Sequence, residues 1–549
     1  MYISRIKLHN FKRFKSFDKE FNSGLNILVG DNEVGKSTIL EAIHLALSGM
    51  YRGRYLKSDL THYIFNQEAI QEYFHELRNG KKPRAPYLSI EIWFDDCPSF
   101  VGNTNSESDA RKAGLTYSVI LSDDYIHEFN EYVKNGDVQT LPIEYYTVVW
   151  QSFRRDPLMS RKIPLKSFLI DGSISQGSLS GAFIAHILRN ILTDSDCVNL
   201  SHVHREYQQY IENHPQIKEL NGRLNADGIF SEYESVNLSS DYSSSRSWET
   251  TLIANINSVP IHYAGKGCQI GVRTKLSLVK SADENKNAVI LIEEPESHLS
   301  FSSMNRLISF IQRNKGGRQI FITTHSSFVI NKLGLNSLVL FSSNSQKTLT
   351  GLSDGTFDYF QKLAGYETLR MLLAKKTILV EGDSDELVIQ KAYYQNFGKL
   401  PIEDGIDIQC IKGLSFLRYL ELATLMGLNV TVVTDNDGDL EAIKEKYIEY
   451  MGENKKTNIE ICFSEQIYSA EDFSGDVVMD KFNYNTLEPF VLKSNSLAFF
   501  NRIFGKNYTT EKELLKYMHN NKSECALALF RCTDSISIPK YILKAIENE

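Results

Sequence analysis

The sequence LNILVGDNEVGKSTILEAIHLAL, residues 25–47, carries the motif G-x-x-x-x-G-K-S between an apolar β-run at 25–29 and an apolar helix. The helix places Ile39, Leu40, Ile43 and Leu47 on one buried face. The motif glycines allow the backbone to wrap a polyphosphate with its N–H groups pointing inward, and the helix N-terminus adds partial positive charge. The stretch therefore predicts the phosphate-binding loop of a P-loop ATPase.

Individual loop residues have predicted roles. Lys36 is expected to reach the β- and γ-phosphates of ATP, and Ser37 to bind Mg²⁺. The other predicted nucleotide-binding residues of the loop are Gly30, Asn32, Gly35 and Thr38. The alternative is a glycine-rich turn that matches by accident, but strand and helix flank the loop as the motif requires.

Composition limits the class of protein. The 549 residues are enough for about two to four domains. The net charge of −8 excludes a global basic field, so contact with nucleic acid must rest on local patches or metal ions. The seven cysteines form no C-x-x-C pair, which argues against a zinc ribbon or a disulfide framework. No apolar run of bilayer length and no signal-peptide core is present, and we expect a cytoplasmic protein without a membrane partner.

A second pair of motifs completes an ATPase site. An apolar strand at 288–292 ends in Glu293 and Glu294, which fit the carboxylate that holds Mg²⁺ and the one that polarises the attacking water. A strand at 319–324 is followed by His325, which is positioned by sequence to sense the γ-phosphate. A purely structural histidine is the alternative.

Gly265 and Gly267 precede a helix and predict a further anion site. The order of phosphate loop, long insert, glycine signature, acidic strand and histidine strand resembles ABC-type ATPases, although the signature diverges from LSGGQ. In that class the signature meets the ATP of another subunit, which implies a homodimer or higher homo-oligomer. Residues 153–245 contain predicted helices at 182–192 and 202–224, and either a dimer surface or a plain helical subdomain fits them.

The pattern restarts after residue 371. A strand at 377–380 ends at Glu381, and a strand at 430–434 ends in Asp435-Asn436-Asp437-Gly438-Asp439. The intervening helix–strand–helix makes a βαβαβ unit, whose carboxyl strand ends share one edge. An EF-hand fails because the twelfth loop position is Lys446. The alternative is a Toprim site, in which Glu381, Asp435 and Asp437 hold Mg²⁺ or Mn²⁺.

Two-metal phosphodiester chemistry needs more than three carboxylates. The additional candidates are Asp385, four residues after Glu381, and Glu488 in the sequence TLEPF. Asp383 and Asp439 are predicted to be flanking charges.

With both halves present, the chain resembles the OLD (overcoming lysogenization defect) family. The resemblance covers nearly the whole length, and its marks are GDNEVGKST, LIEEPESHL, TTHSS, LVEGDSDE, VTDNDGD, TLEPF and HNNKSECALAL. It implies an α/β fold with an N-terminal ABC/SMC-like P-loop ATPase (1–152 and 246–370), a helical dimerisation insert (153–245) and a C-terminal Toprim domain (371–549). It also implies an essential lysine, placed at Lys522. The departure is Leu-Ser after His298, where the family more often has Leu-His-Pro.

The resemblance implies an ATP-regulated, Mg²⁺- or Mn²⁺-dependent DNA endonuclease, with RNA not excluded as substrate. Family members act in antiphage defence, alone, beside a helicase-like protein as in Gabija, or beside a retron reverse transcriptase with its RNA/DNA. The competing interpretation is an SMC-like, ATP-driven DNA-binding clamp of the repair type, with a Toprim module that does not cleave.

Overall fold

The computed structural model describes residues 1–31, 33–107, 111–135, 138, 140–171, 192–226, 236–242, 248–278, 287–314, 316–341, 346–349, 351–362, 370–411, 415–477 and 481–547. The predicted helix at 182–192 and the predicted loop residue Asn32 fall outside these ranges, except for Leu192. The chain divides into two compact units. One comprises Met1–Leu28 and Asn32–Thr324, and the other comprises Val29–Asp31 and His325–Glu549.

The first unit mixes strands and helices. Its strands are β1 (Ile3–Phe11), β2 (Phe14–Glu20), β3 (Leu25–Gly30, whose last two residues belong to the second unit), β4 (Met50–Tyr51), β5 (Arg54–Tyr55), β6 (Leu88–Phe94), β7 (Val101–Gly102), β8 (Lys112–Leu121), β9 (Tyr146–Ser152), β10 (Leu165–Asp171), β11 (Asn255–Ile256), β12 (Val259–Pro260), β13 (Asn287–Glu293) and β14 (Gln319–Thr324). Its helices are α1 (Lys36–Ser48), α2 (Gln67–Arg78), α3 (Ile126–Asn135), α4 (Asp194–Asn213), α5 (Pro215–Ala226), α6 (Trp248–Thr251), α7 (Lys266–Ser277) and α8 (Phe301–Asn314).

Two sheets organise this unit. An antiparallel sheet has the order β2-β1-β6-β8-β7, with β9 also pairing β8. The second sheet contains the order β10-β13-β14-β3, in which β13 runs parallel to both of its neighbours. The buried Gln319 side chain links the sheets, because its amide bonds both the N–H and the carbonyl of Ile3 at 2.8 Å. Such a buried, fully used amide stabilises one register.

Helix α1 buries the face that the sequence predicts. Ile39, Leu40 and Ile43 are fully buried, and Leu47 is nearly so. Strand β10 lies inside the 153–245 segment that sequence patterns describe as helical. The predicted helix at 202–224 is also wrong as one element, since α4 ends before His214 and α5 begins at Pro215. Proline lacks the N–H that would continue α4 and suits the first position of a new helix.

The second unit is built around a parallel sheet. Its strands are β15 (Leu338–Phe341), β16 (Gln346–Thr348), β17 (Lys376–Val380), β18 (Ile406–Cys410), β19 (Val430–Val433) and β20 (Ile459–Cys462). Its helices are α9 (Ser327–Leu333), α10 (Asp354–Lys362), α11 (Asp383–Phe397), α12 (Phe416–Met426), α13 (Leu440–Lys446), α14 (Leu487–Ser494), α15 (Leu497–Phe504), α16 (Glu511–Asn520), α17 (Lys522–Arg531) and α18 (Lys540–Glu547).

The order β18-β17-β19-β20, all parallel, confirms the predicted βαβαβ unit. The C-terminal helices extend its core, since α17 and α18 pack on α11 and share one apolar cluster with β17. This packing brings residues beyond 480 to the edge where β17 and β19 end. No helix among the described residues is long and apolar enough to span a bilayer.

Candidate nucleotide and metal sites

The phosphate loop joins β3 to α1. Gly35 directly precedes α1 with φ +99°, in the left-handed region that disfavours side chains. A Cβ at this position would lie 2.4 Å from the ring of Phe14. Lys36, the first residue of α1, is 5% exposed. The glycine therefore allows both the left-handed backbone and the close approach of Phe14. It also fixes where α1 begins, and thereby the position of Lys36.

Gly35→Ala is expected to lower the free energy of unfolding by about 2–4 kcal/mol, because left-handed backbone strain adds to overpacking against Phe14. Urea unfolding and ATP-binding titration measure the effect. Gly24→Ala is the matched control, since a Cβ there meets no atom within 4 Å. Equal stability of the two variants would contradict this account of Gly35.

Glu293 and Ser37 are brought together as predicted. Glu293 ends β13, and the Ser37 hydroxyl at the start of α1 donates a hydrogen bond to its carboxylate. Burial is the main cause that raises the pKa of Glu293 to about 7, and the nearby carboxylates Asp171, Glu41 and Glu294 add to it. A hydroxyl and a carboxylate in a site of excess negative charge fit a hard divalent cation.

Glu294 has a left-handed backbone, with φ +41°. Its N–H donates to the Thr323 carbonyl at 3.0 Å, and its carboxylate accepts from Ser297 Oγ at 3.2 Å. A non-glycine residue in this conformation costs energy that the surrounding bonds must supply. His325 directly follows β14. Thr38 is buried in α1 behind the loop.

The predicted glycine signature has a structural role within the chain. Gly265 caps α7, and Gly267 lies in its first turn. A Cβ on Gly267 would come 2.3 Å from the His298 carbonyl oxygen, so the glycine lets α7 approach the segment that follows Glu294. The anion-binding role of both glycines stays a prediction.

In the second unit, Glu381 and Asp435 meet at the ends of neighbouring strands. Glu381 follows β17 and accepts from Thr434 Oγ1 at 2.5 Å and from the Asp435 N–H at 3.2 Å. Parallel pairing of β17 with β19 produces this contact. The two acidic motifs, more than fifty residues apart in sequence, thus form one site at the carboxyl edge of the sheet.

Asp385, Glu488 and Lys522 join this site from three helices. Asp385 lies in the first turn of α11 and accepts from the Gly382 N–H at 3.0 Å. Glu488 lies in the first turn of α14, is 6% exposed and pairs with Lys522 Nζ at 3.1 Å. The predicted carboxylates and lysine are therefore neighbours, although α14 and α17 follow Asp435 by some fifty and ninety residues.

The electrostatics show that these carboxylates share one space. Burial, then the charges of Glu381 and Glu488, raise the pKa of Asp385 to about 7, and Lys522 opposes the rise. Burial, then Asp385 and Glu381, raise the pKa of Asp435 well above the usual aspartate range. Like charges that close disfavour simultaneous ionisation unless a cation lies among them.

Asp437, the remaining predicted ligand, is exposed in the turn after β19 with φ +49°. Its Oδ1 accepts a hydrogen bond from Asn483 Nδ2 at 2.7 Å.

The donor set fits Mg²⁺ or Mn²⁺ in its chemistry. Hard carboxylate oxygens with unbalanced negative charge are what these ions bind. Within the described ranges, however, no three His, Cys, Asp or Glu side chains converge into a preformed metal cage. Mg²⁺ commonly uses one or two carboxylates and completes its shell with water and substrate phosphate. The arrangement fits that kind of open site.

Sequence reasoning missed three residues that support the predicted ones. Asp171 ends β10 directly opposite Glu293 in parallel register. A signal for it existed, since residues 165–171 are a mostly apolar strand that ends in a carboxylate, like those before Glu293 and Glu381. Thr434 and Asn483 carried no such signal, because their roles depend on which carboxylates the fold brings to them.

Known protein families match three segments of the chain. A family described as the Overcoming lysogenization defect protein-like TOPRIM domain matches residues 372–437, which include Glu381, Asp385, Asp435 and Asp437. Two AAA-domain families match residues 5–226 and 274–331, the second also described as a putative AbiEii toxin of a type IV toxin–antitoxin system. The chain contains an OLD-like Toprim domain. It joins an AAA-class ATPase domain to an OLD-like Toprim domain, and the predicted α/β fold class is confirmed.

Curated relatives match the chain in part. Endonuclease GajA of Bacillus cereus (strain VD045) is 22% identical over 267 residues, which are 47% of this chain and 45% of GajA. The DNA replication and repair protein RecF of Streptococcus suis (strain 05ZYH33) is 37% identical over 90 residues, 16% of this chain and 24% of RecF. The matched segments thus span less than half of these curated relatives.

Among solved structures, the match to the recombination mediator protein RecF with ATP covers 64% of this chain and 98% of RecF at 13% identity, with a TM-score of 0.33. This superposition is too loose to add to the fold assignment, which rests on the family matches and sheet order.

Proposed function

We propose that this protein is an ATP-binding and ATP-hydrolysing, metal-dependent DNA endonuclease. The observation that carries the proposal is that Glu381, Asp385, Asp435 and Glu488 lie at one edge of the Toprim sheet, close enough for their charges to act on one another, with Lys522 beside them. Four carboxylates and one lysine are a donor set for hydrolysis of a phosphodiester.

The roles of the side chains follow from their positions. Mg²⁺ or Mn²⁺, when bound, polarises the phosphate and lowers the pKa of a bound water. Glu381, Asp385, Asp435, Asp437 and Glu488 hold the cations and orient that water. Lys522 is 43% exposed while its partner Glu488 is nearly buried, so the ammonium can turn to the scissile phosphate and neutralise its developing charge. The burial of Glu488, which is 6% exposed, strengthens its hold on a cation.

The ATPase half is assigned in the same way. Mg²⁺, when bound with ATP, neutralises the β- and γ-phosphate oxygens. Lys36 binds those phosphates, Ser37 and Glu293 hold the cation, Glu294 orients the attacking water and His325 contacts the γ-phosphate.

Incubation with supercoiled plasmid tests the function. We expect nicked and linear products with Mn²⁺ or Mg²⁺ and none in EDTA. The same assay on single-stranded RNA distinguishes DNA from RNA as substrate. Intact plasmid under all metal and nucleotide conditions would overturn the proposal.

Glu294→Gln is expected to slow ATP hydrolysis by about 10²–10⁴-fold, because the amide cannot accept the proton of the attacking water. Bound ATP should then survive gel filtration, which radiolabelled nucleotide detects. Glu296→Gln is the control, since its amide oxygen still accepts the bond that Thr324 Oγ1 makes to Glu296 at 2.7 Å. Normal turnover by Glu294→Gln would remove it from the mechanism.

The second candidate is an ATP-driven DNA clamp whose Toprim domain does not cleave. The match to RecF, a replication and repair protein, favours it. It predicts ATP-dependent retention of DNA in a gel-shift assay with no strand scission in any metal. Cleavage that requires Asp435 would exclude it.

We further propose that the protein forms a homodimer or higher homo-oligomer and serves as a cytoplasmic antiphage effector. Support for this comes from the OLD resemblance and from the exposed apolar residues of α4, Val203, Tyr207 and Tyr210, which share one helix face. Purification from native cells tests the oligomeric state through the molar mass, and a monomer would contradict it. Any co-purifying helicase, reverse transcriptase, RNA or DNA would identify a partner. Equal phage plating on cells with and without the gene would contradict the defence role.

A further inference from the structure

Three asparagines surround the turn that carries Asp437. Asn436 is fully buried, and its Nδ2 donates to the carbonyls of Ser464 and Gln466, both at 2.7 Å. Its Oδ1 accepts from the Gly438 N–H at 3.1 Å. Asn436 therefore ties the turn to the segment after β20, and its bond from Gly438 closes the turn around Asp437.

The loop at 481–486 lies against this turn. Asn485 is 6% exposed and forms a two-bond pair with the Tyr468 backbone, at 2.7 Å to the N–H and 2.9 Å to the carbonyl. Gly438 has φ +82°, and a Cβ on it would lie 3.1 Å from Asn485 Nδ2. The glycine thus provides both the turn and the space for Asn485.

Asn483 connects this loop to the metal-ligand candidate. Its Oδ1 accepts from the Asn485 N–H at 2.8 Å, and its Nδ2 donates to Asp437 Oδ1 at 2.7 Å. Because an N–H occupies the oxygen end of the amide, only the nitrogen end can face the carboxylate. Both the oxygen and the nitrogen of the Asn483 amide are hydrogen-bonded, and these two partners fix the orientation of the side chain.

We propose that Asn483 is the positioning residue for Asp437, an inference that rests on the proposed metal-dependent nuclease. Asp437 is an exposed side chain on a left-handed backbone, so its carboxylate has little else to restrain it. The bond from Asn483 occupies Oδ1 and leaves Oδ2 available to a cation. Hydrogen-bond partners of ligating carboxylates orient them, and their loss costs about 10–100-fold in metal affinity or activity.

Direct Mn²⁺ binding tests the proposal without relying on cleavage. Free Mn²⁺ is measured by electron paramagnetic resonance on the full chain, without nucleotide or DNA. Asn483→Ala is expected to raise the dissociation constant for Mn²⁺ about 10–100-fold. The nearly isosteric Asn483→Leu should do the same, and it serves if the alanine variant does not fold. Asn454→Ala is the matched control, because this exposed amide donates to the Ile448 carbonyl, far in sequence from the acidic turn, and the variant should bind Mn²⁺ normally.

A double-mutant cycle separates positioning from general loop stability. In an Asp437→Ala background, Asn483→Ala should cause no further loss of Mn²⁺ affinity. Unchanged affinity of the Asn483 variants, or an equal loss in the Asp437→Ala background, would overturn the inference while leaving the nuclease intact. If the Asp435→Ala variant binds Mn²⁺ as tightly as the wild-type protein, the proposed function fails, and this inference fails with it.

Discussion

Asp435→Ala is expected to lower DNA cleavage by at least about 10³-fold and to leave ATP hydrolysis unchanged. Asp435 follows β19, and its N–H donates a hydrogen bond to the Glu381 carboxylate at 3.2 Å. The charge of Asp385 acts on the Asp435 carboxylate and helps to raise its pKa. Its removal takes away a metal ligand worth several kcal/mol of transition-state stabilisation. Plasmid cleavage in Mn²⁺ and phosphate release from ATP are measured on the same preparation.

The stability of the metal-free protein provides an internal check on this result. Asp435 is half-buried among like charges, so its loss removes repulsion, and the melting temperature in EDTA should stay equal or rise. Asp439→Asn is the matched control. It removes a charge from the same acidic turn but keeps the cap that Asp439 makes to the Ala442 N–H. Full cleavage by Asp435→Ala would place the chemistry outside the Toprim site.

Lys36→Ala is expected to reduce ATP hydrolysis by about 10³-fold, because the first residue of α1 supplies the buried positive charge for the β- and γ-phosphates. Nucleotide affinity and phosphate release measure the loss. Lys82→Ala, an exposed lysine of the same unit, should behave as wild type.

The cleavage activity of the Lys36→Ala variant then measures coupling between the two sites. A change in plasmid cleavage, in either direction, would mean that nucleotide binding controls the nuclease. Unchanged cleavage by both Lys36→Ala and Glu294→Gln would show that the two activities are independent. Normal ATP hydrolysis by Lys36→Ala would contradict the assignment of the phosphate loop.

Local sequence patterns were sufficient for the elements that carry the predicted chemistry. The phosphate loop, the acidic strand before Glu293 and the βαβαβ unit all combine an apolar strand with polar residues at its end, and such patterns depend on neighbours in the chain. The prediction of one helix at 202–224 was wrong at Pro215, where a new helix begins. The apolar pattern continues across this proline, so the pattern alone did not show the break. Strand β10 escaped notice because its partner β13 is more than a hundred residues away.

The sequence by itself thus determined the two domain types and the loop that starts α1, and it predicted the carboxylates proposed as Toprim ligands, because short-range patterns encode them. Only the tertiary structure decided that Asp171 lies beside Glu293, that Thr434 bonds Glu381 and that Asn483 bonds Asp437. Strand register and loop packing create these contacts, and neither leaves a periodic signal in the residues involved.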